Sequence, residues 1–318
     1  MDAIGGYFEL ELRRGEHYHK DAIRLNTARN CFEYILMARK YKKVYIPYYT
    51  CEVMLQPLKR QQVDYSFYSI DWNLEPTEIF KLKEGEAFLY TNYFGLKQDC
   101  VERLAKVYGS RLIIDNAHAF FAPRVSGIDT FYSPRKFFGV SDGGYLYTDC
   151  LLSEEFPQDE SWNRMSHLLI RADKGAEYGY SAFRKHEDEL DNVPIKRMSR
   201  LTEKILQNVD YEITKKKRRT NYKYFESLLK SNNKLTLSID KEDVPMAYPY
   251  LTEEGASLRE KFISKRIFVP SYWPNVLRDI SSMQLEYQLS KNTINIPIDQ
   301  RYEKLELLEL YDVLLENK

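Results

Sequence analysis

The chain is 318 residues long and 43% hydrophobic, enough to bury a large core and to form two unequal lobes. Its 47 basic and 47 acidic side chains cancel, which excludes a long-range field drawing it to nucleic acid or to an anionic membrane surface. The cysteines Cys31, Cys51, Cys100 and Cys150 stand far apart with no C-x-x-C pair, which argues against a zinc or redox motif and fits reduced thiols.

The opening residues Met1-Asp2-Ala3-Ile4-Gly5-Gly6 lack the basic stretch and apolar run of a signal peptide, and no later run approaches the ~20 apolar residues of a membrane span. A cytoplasmic protein is therefore expected. Asn26 and Thr27, both N-cap residue types, precede apolar positions at helical spacing (Ala28, Cys31, Phe32, Ile35, Leu36), so a helix is predicted to begin near Thr27. Strands are predicted at 44–47, 65–70, 87–91 and 111–115, with a helix over 100–108 before the last of them. A further strand at 144–148 follows a glycine pair. From there to about 231 the pattern is mainly helical, with one long helix over 200–229. The remainder mixes strands at 248–251 and 292–296 with helices at 255–264 and 301–315. The alternation reads as an α/β protein: a large unit over 1–231 with a mostly parallel sheet, and a smaller α+β unit over 232–318.

Two places carry the chemistry. The run Arg111-Leu112-Ile113-Ile114-Asp115 ends an apolar strand in a carboxylate, which either caps the next turn or stands at the sheet edge where open α/β sheets bind ligands. Lys136, 21 positions later, lies in Ser133-Pro134-Arg135-Lys136-Phe137-Phe138-Gly139 and precedes Asp142-Gly143-Gly144 by six. A lysine is a solvated charge unless a dry or cationic setting frees its amine to attack a carbonyl, a setting that the two phenylalanines and Arg135 would provide.

These segments, in order, resemble the DegT/StrS family of sugar aminotransferases, within fold type I of the pyridoxal-phosphate enzymes. The likeness runs through Gly5-Gly6-Tyr7-Phe8-Glu9-Leu10, Leu25-Asn26-Thr27-Ala28-Arg29-Asn30, Ile46-Pro47-Tyr48-Tyr49-Thr50 and Asn92-Tyr93-Phe94-Gly95 to Asp115-Asn116-Ala117-His118-Ala119. It continues in Arg197-Met198-Ser199, Arg218-Arg219-Thr220-Asn221-Tyr222, Tyr248-Pro249 and Asn295-Ile296-Pro297-Ile298-Asp299. The most specific pair is the D-x-A-H core followed by Lys136 ahead of its acid and two glycines.

The resemblance implies a large α/β/α domain, a smaller C-terminal α+β domain and pyridoxal 5'-phosphate as cofactor. It makes Lys136 the residue that holds the cofactor and later shuttles a proton, Asp115 the carboxylate facing the pyridine nitrogen, and His118 the contact to the ring's phenolic oxygen. The cofactor's phosphate falls to Thr27, Ala28 and Arg29 at a helix N-terminus, with Ser133 adding a hydroxyl. Cys51 stands where many members place a ring-stacking aromatic, and Tyr48, Tyr49 or Glu52 are the candidates to shape that face instead. Ile195 stands where many have an asparagine that reaches across a dimer, leaving Lys196 or Arg197 as substitutes. The implied reaction moves an amino group, with glutamate as donor, onto the keto carbon of a nucleotide-linked sugar, in a homodimer. A sugar dehydratase and a scaffold that has lost turnover are the alternatives; retention of Lys136 weighs against the family's dehydratases, which replace it.

Other features are set aside. His17-Tyr18-His19 has no matching ligand cluster and reads as surface, so no metal is expected. The basic run Lys215-Lys216-Lys217-Arg218-Arg219 reads as a solvated helix face, or else as an attractor of substrate diphosphate. No G-x-G-x-x-G, Walker loop or G-x-S-x-G supports a dinucleotide, NTPase or hydrolase reading.

Overall fold

Side-chain alternation along three short strands divides the core. Ala87 and Leu89, Ile113, and Phe131 pack on one face of a sheet, while Phe88 and Tyr90, Leu112 and Ile114, and Tyr132 pack on the other. A strand buried on both faces needs helices on both sides, and the result is an α/β/α sandwich. The structure, a computed structural model, describes residues 4–315. Met1, Asp2 and Ala3, part of the stretch read for a signal peptide, lie outside the described residues.

The main sheet contains β1 (Ile23–Leu25), β2 (Lys43–Pro47), β3 (Asp64–Tyr68), β4 (Glu86–Thr91), β5 (Leu112–Asn116), β6 (Asp129–Tyr132) and β7 (Gly144–Tyr147). Their spatial order is β1-β7-β6-β5-β4-β2-β3, with β2 to β6 parallel and β7 antiparallel to both neighbours. On the face of Leu89 and Ile113 lie α1 (Ala28–Arg39) and α2 (Leu55–Arg60); the core of the other face takes in α3 (Gln98–Tyr108). A hairpin follows, of α4 (Ser166–Lys174) and α5 (Ala176–Glu189), then α6 (Arg200–Gln207) and α7 (Tyr211–Leu229). The remaining chain forms the antiparallel pair β8 (Ala247–Leu251) and β9 (Thr293–Pro297) with α8 (Gly255–Ser264), α9 (Pro274–Asp279), α10 (Leu285–Asn292) and α11 (Lys304–Leu315). Its core is continuous with that of the large sheet. Among the described residues no helix is long and apolar enough to cross a membrane.

The predicted strands and the helix starting at Thr27 are in place, with differences of one or two residues at their ends. The single helix expected over 200–229 is instead two, because Asp210 caps α7 by accepting the N–H of Ile213 at 3.0 Å. The strands β1 and β6 went unpredicted, being only three and four residues long. Depth is fixed by Arg39 at the end of α1, which makes two bonds of 2.8 and 2.9 Å to the fully buried carboxylate of Asp129 at the start of β6. The helix above β6 is thereby pinned to it.

Candidate functional site

The parallel strands end together, and their last side chains converge. Asp115 has the parity of Ile113, so it faces the α1 side of the sheet, at the C-terminal edge. The next turn supports it: Asn92 N–H donates to Asp115 O at 3.0 Å, and Ala117 N–H to Asp115 Oδ1 at 2.8 Å. Burial pushes the carboxyl up to about 6, opposed by the Ala117 N–H and by the charge of Lys136. The Asn92–Gly95 motif makes this possible. Gly95, at φ +72, lies so close that a Cβ there would stand 3.1 Å from His118 O and 3.2 Å from Val244 O. His118 is buried, and burial first, then the charge of Lys136, holds its imidazole well below the ordinary value. Among the described residues its Nδ1 is buried without a hydrogen-bond partner. Such an orphaned atom near an ionisable carboxyl is what a polar ligand satisfies.

Lys136 ends a tight turn after β6. Phe137 and Phe138 N–H both donate to Pro134 O, at 3.0 and 2.9 Å. The turn brings the lysine to Asp115, His118 and Cys51, all of which feel its charge. The dry setting expected for it is absent. Lys136 is exposed, because Phe137 and Phe138 point into the core against Phe120, Phe121 and Tyr211 instead of flanking the amine. Arg135 turns away to an ion pair with Glu187 on α5. The acid of the Asp-Gly-Gly motif is structural: Asp142 accepts from Ser199 N–H at 2.8 Å, from Ser199 Oγ at 2.7 Å and from the Thr202 hydroxyl, and so anchors the start of α6. That bond set accounts for Ser199 within the Arg197-Met198-Ser199 segment.

The glycines of the same motif press β7 against the start of α1. A Cβ on Gly144 would lie 2.6 Å from Thr27 O and 2.7 Å from Cys31 Sγ. Thr27 caps α1 in an extended conformation, its Oγ1 accepting Asn30 N–H at 3.1 Å, which leaves its own O–H free to donate. The N–H groups of Ala28 and Arg29 precede the helical ladder, so this end is suited to an anion. Arg29 offers only its backbone there, since its guanidinium is held by Gln56 at 2.8 Å and Asp191 at 2.9 Å. Ser133, buried, directly precedes the lysine turn on the parity of Phe131. Cys51 is half-buried after β2, and burial raises its thiol. Ile195 packs in the core on the α1 face of the sheet, and the amine of Lys196 is taken by Asp159 at 3.1 Å. That ammonium has a partner already.

Sequence reasoning missed Tyr272 and Trp273, which reach the site from the far end of the chain. Trp273 stacks on His118, ring centroids 5.1 Å apart and planes 9° apart, and meets Tyr49 edge-on at 4.2 Å. Tyr272 lies between: 4.9 Å from His118 and 5.7 Å from Lys136 Nζ. Asn275 fastens this segment by donating to Thr50 O at 3.1 Å. The signal available was Pro274, set to start a helix after two aromatics. Beyond Lys136 and Tyr272 opens a cleft of about 580 Å³, toward Arg218, Asn295 and Arg301. Asp115 and His118 do not line it, since the aromatic pair lies over the histidine.

Two expectations are corrected. His17 and His19 are not surface residues: His17 Nδ1 meets Tyr145 OH at 2.7 Å, His19 Nε2 meets Phe120 O at 2.8 Å, and burial holds both near pH 4. Both therefore belong to the aromatic core. The run Lys215-Lys216-Lys217-Arg218-Arg219 is not a uniform solvated face, because Arg218 turns inward and is fully buried.

The donor set fits pyridoxal phosphate. It combines an anion site at α1, a buried carboxyl able to hold a proton opposite a ring nitrogen, an orphaned imidazole nitrogen and an accessible amine. Neither a family model nor a curated protein matches the chain. Solved structures do. A DegT/DnrJ/EryC1/StrS aminotransferase from Brucella abortus is similar over 93% of this chain and 85% of that one, at 15% identity and TM-score 0.63. The aminotransferase TlmJ from Streptoalloteichus hindustanus gives 92%, 84%, 12% and 0.64. An E. coli GDP-4-keto-6-deoxy-D-mannose-3-dehydratase with bound hydrated PLP gives 92%, 87%, 16% and 0.63. The shared element is the fold, that of the PLP-dependent aminotransferases.

Proposed function

We propose that this protein is a pyridoxal-phosphate-dependent, sugar-modifying enzyme, and specifically an aminotransferase that transfers an amino group from glutamate to a nucleotide-linked keto-sugar. The observation that carries the reading is the meeting of Asp115, His118 and Lys136 at the ends of β5 and β6, beside the start of α1. The cofactor, when bound, supplies an electron sink that makes a carbon acid beside nitrogen.

The chain's own residues do the rest. The first turn of α1 with Thr27 and Ser133 holds the phosphate. Asp115, ionised at neutral pH in spite of its burial, would stand opposite the ring nitrogen and favour its protonated form. His118 offers Nδ1 to the ring's phenolic oxygen. Lys136 would hold the cofactor through Nζ, and its amine, which lines the cleft, is placed to carry a proton there. Trp273 keeps the plane of His118 fixed, while Cys51 is too small to stack. We also read the enzyme as a cytoplasmic homodimer, which sedimentation tests directly. The dehydratase alternative has a solved structure of that activity on its side. Product analysis separates the two: nitrogen gained on the sugar, or water lost.

The decisive experiment adds pyridoxal phosphate to the purified protein. A visible band should appear, bleach with glutamate, and be fixed on Lys136 by borohydride, as peptide mass shows; Lys136→Ala should give none of this. A wild-type protein that stays colourless with no adduct on Lys136 would defeat the reading and leave a scaffold.

A further inference from the structure

Arg218 is among the largest fully buried side chains, yet among the described residues no carboxylate forms an ion pair with it. The nearby acid, Asp299, is held by Arg301 through two bonds of 2.7 and 2.9 Å. A buried guanidinium without a carboxylate is costly unless its N–H groups are satisfied otherwise. Here they reach backbone carbonyls and an amide: Met246 O at 2.9 Å, Pro245 O at 3.3 Å, Phe137 O at 3.5 Å and Gln300 Oε1 at 3.1 Å. Gln300 completes the grip, its Nε2 donating to the same Phe137 O at 2.9 Å, and the guanidinium lies 4.4 Å above the Phe137 ring.

Phe137 is the residue after Lys136. The lysine side chain makes no hydrogen bond among the described residues, so its direction is set by the backbone turn that carries it and by the Tyr272 ring beneath. Within the turn, Pro134 O is the internal acceptor; the external hold is the clamp on Phe137 O. Gln300 follows β9 and Met246 precedes β8, so the clamp joins the lysine turn to the two-stranded sheet.

We propose that Arg218, acting with Gln300 through the carbonyl of Phe137, is a positioning residue that aims Lys136 and makes that aim depend on the seating of the second sheet. The inference deepens the proposed function and rests on it where the cofactor is the probe. Misplacing a reacting group by about 1 Å costs up to a hundredfold in rate while leaving binding by other contacts intact.

The test uses Arg218→Met, Arg218→Lys and the half-exposed Gln300→Leu in the full chain. Two quantities are read: the rate at which pyridoxal phosphate becomes fixed to Lys136, by timed borohydride trapping, and the affinity for pyridoxamine phosphate, which has no aldehyde for the lysine. Arg218→Met should slow fixation about ten- to a hundredfold and Gln300→Leu about threefold, with Arg218→Lys between them, while pyridoxamine phosphate affinity stays within about twofold. Unchanged fixation in a folded variant, or affinity falling in step with rate, overturns the proposal. If Arg218→Met does not fold, Gln300→Leu decides. If the wild type takes up neither compound, the cofactor reading fails by itself, and acetylation of Lys136 by an activated ester still reads the aim. That rate should rise severalfold in Gln300→Leu, and a wild-type rate refutes the clamp.

Discussion

Replacing Asp115 by asparagine should stabilise the cofactor-free protein at neutral pH while removing its use for the cofactor. The buried carboxyl titrates near 6 against an ordinary 3.8, a gap of about two pH units. Between pH 4 and 6 the unfolded chain gives up this proton while the folded chain keeps it, so the stability present below 4 is lost as pH rises through 6. At 1.36 kcal/mol per unit, the cost of holding the ionised form at pH 7.5 is about 3 kcal/mol. Asparagine keeps an Oδ1 for Ala117 N–H and carries no charge, so Asp115→Asn should recover most of this cost. Urea unfolding of cofactor-free wild type and variant at pH 4 and 7.5 measures it. The expected gain is about 2 to 3 kcal/mol at 7.5 and near zero at 4, accompanied by loss of the visible band with pyridoxal phosphate. A variant no more stable at 7.5, or equally stabilised at both pH values, would refute the argument that burial and not hydrogen bonding sets the state of Asp115.

Gly144→Ala places a methyl 2.6 Å from Thr27 O, which cannot yield without moving the start of α1. Pyridoxamine phosphate affinity should drop at least tenfold and unfolding free energy by about 1 to 3 kcal/mol, both read by titration and urea melts. His19, held near 4 against an ordinary 6.5, acts in the opposite direction to Asp115: as pH falls from 6.5 to 4 the unfolded chain takes a proton the folded chain refuses, at a loss of about 3 kcal/mol. In His19→Gln, which can still donate to Phe120 O, the melting temperature should depend less on acid than in wild type. An equal dependence would show that this imidazole is not the group responsible.

Much of the large sheet was legible because its strands are buried on both faces and written as apolar runs between turn residues, as at 87–91 and 111–115. Short strands were not: β6, four residues that carry Lys136 into place, gives no period to detect. The site divides in the same way. Asp115, His118, Thr27 and Lys136 are local signatures, each beside the residues that fix it. The environment of Lys136 is not legible in the sequence because adjacency does not say which way a side chain points: both phenylalanines turn inward and leave the amine exposed.

What the sequence concealed comes from the second sheet and the segments around it. Tyr272 and Trp273 follow their target His118 by over 150 positions, and Gln300 follows Phe137 by 163. Beyond Pro274 after the aromatic pair, little local marks such residues, since their role exists only when two separately wound sheets pack. Arg218 is the clearest instance. Within a run of five basic residues it is indistinguishable from a solvated lysine, and only helical phase turns it toward Phe137 while Lys216 stays exposed. The same packing gives the site its asymmetry: the chemistry-bearing groups belong to the large sheet, while the groups that cover and aim them arrive from the other side. A substitution far along the chain, at Gln300 or Trp273, should therefore act on Lys136 or His118 without touching either backbone strand.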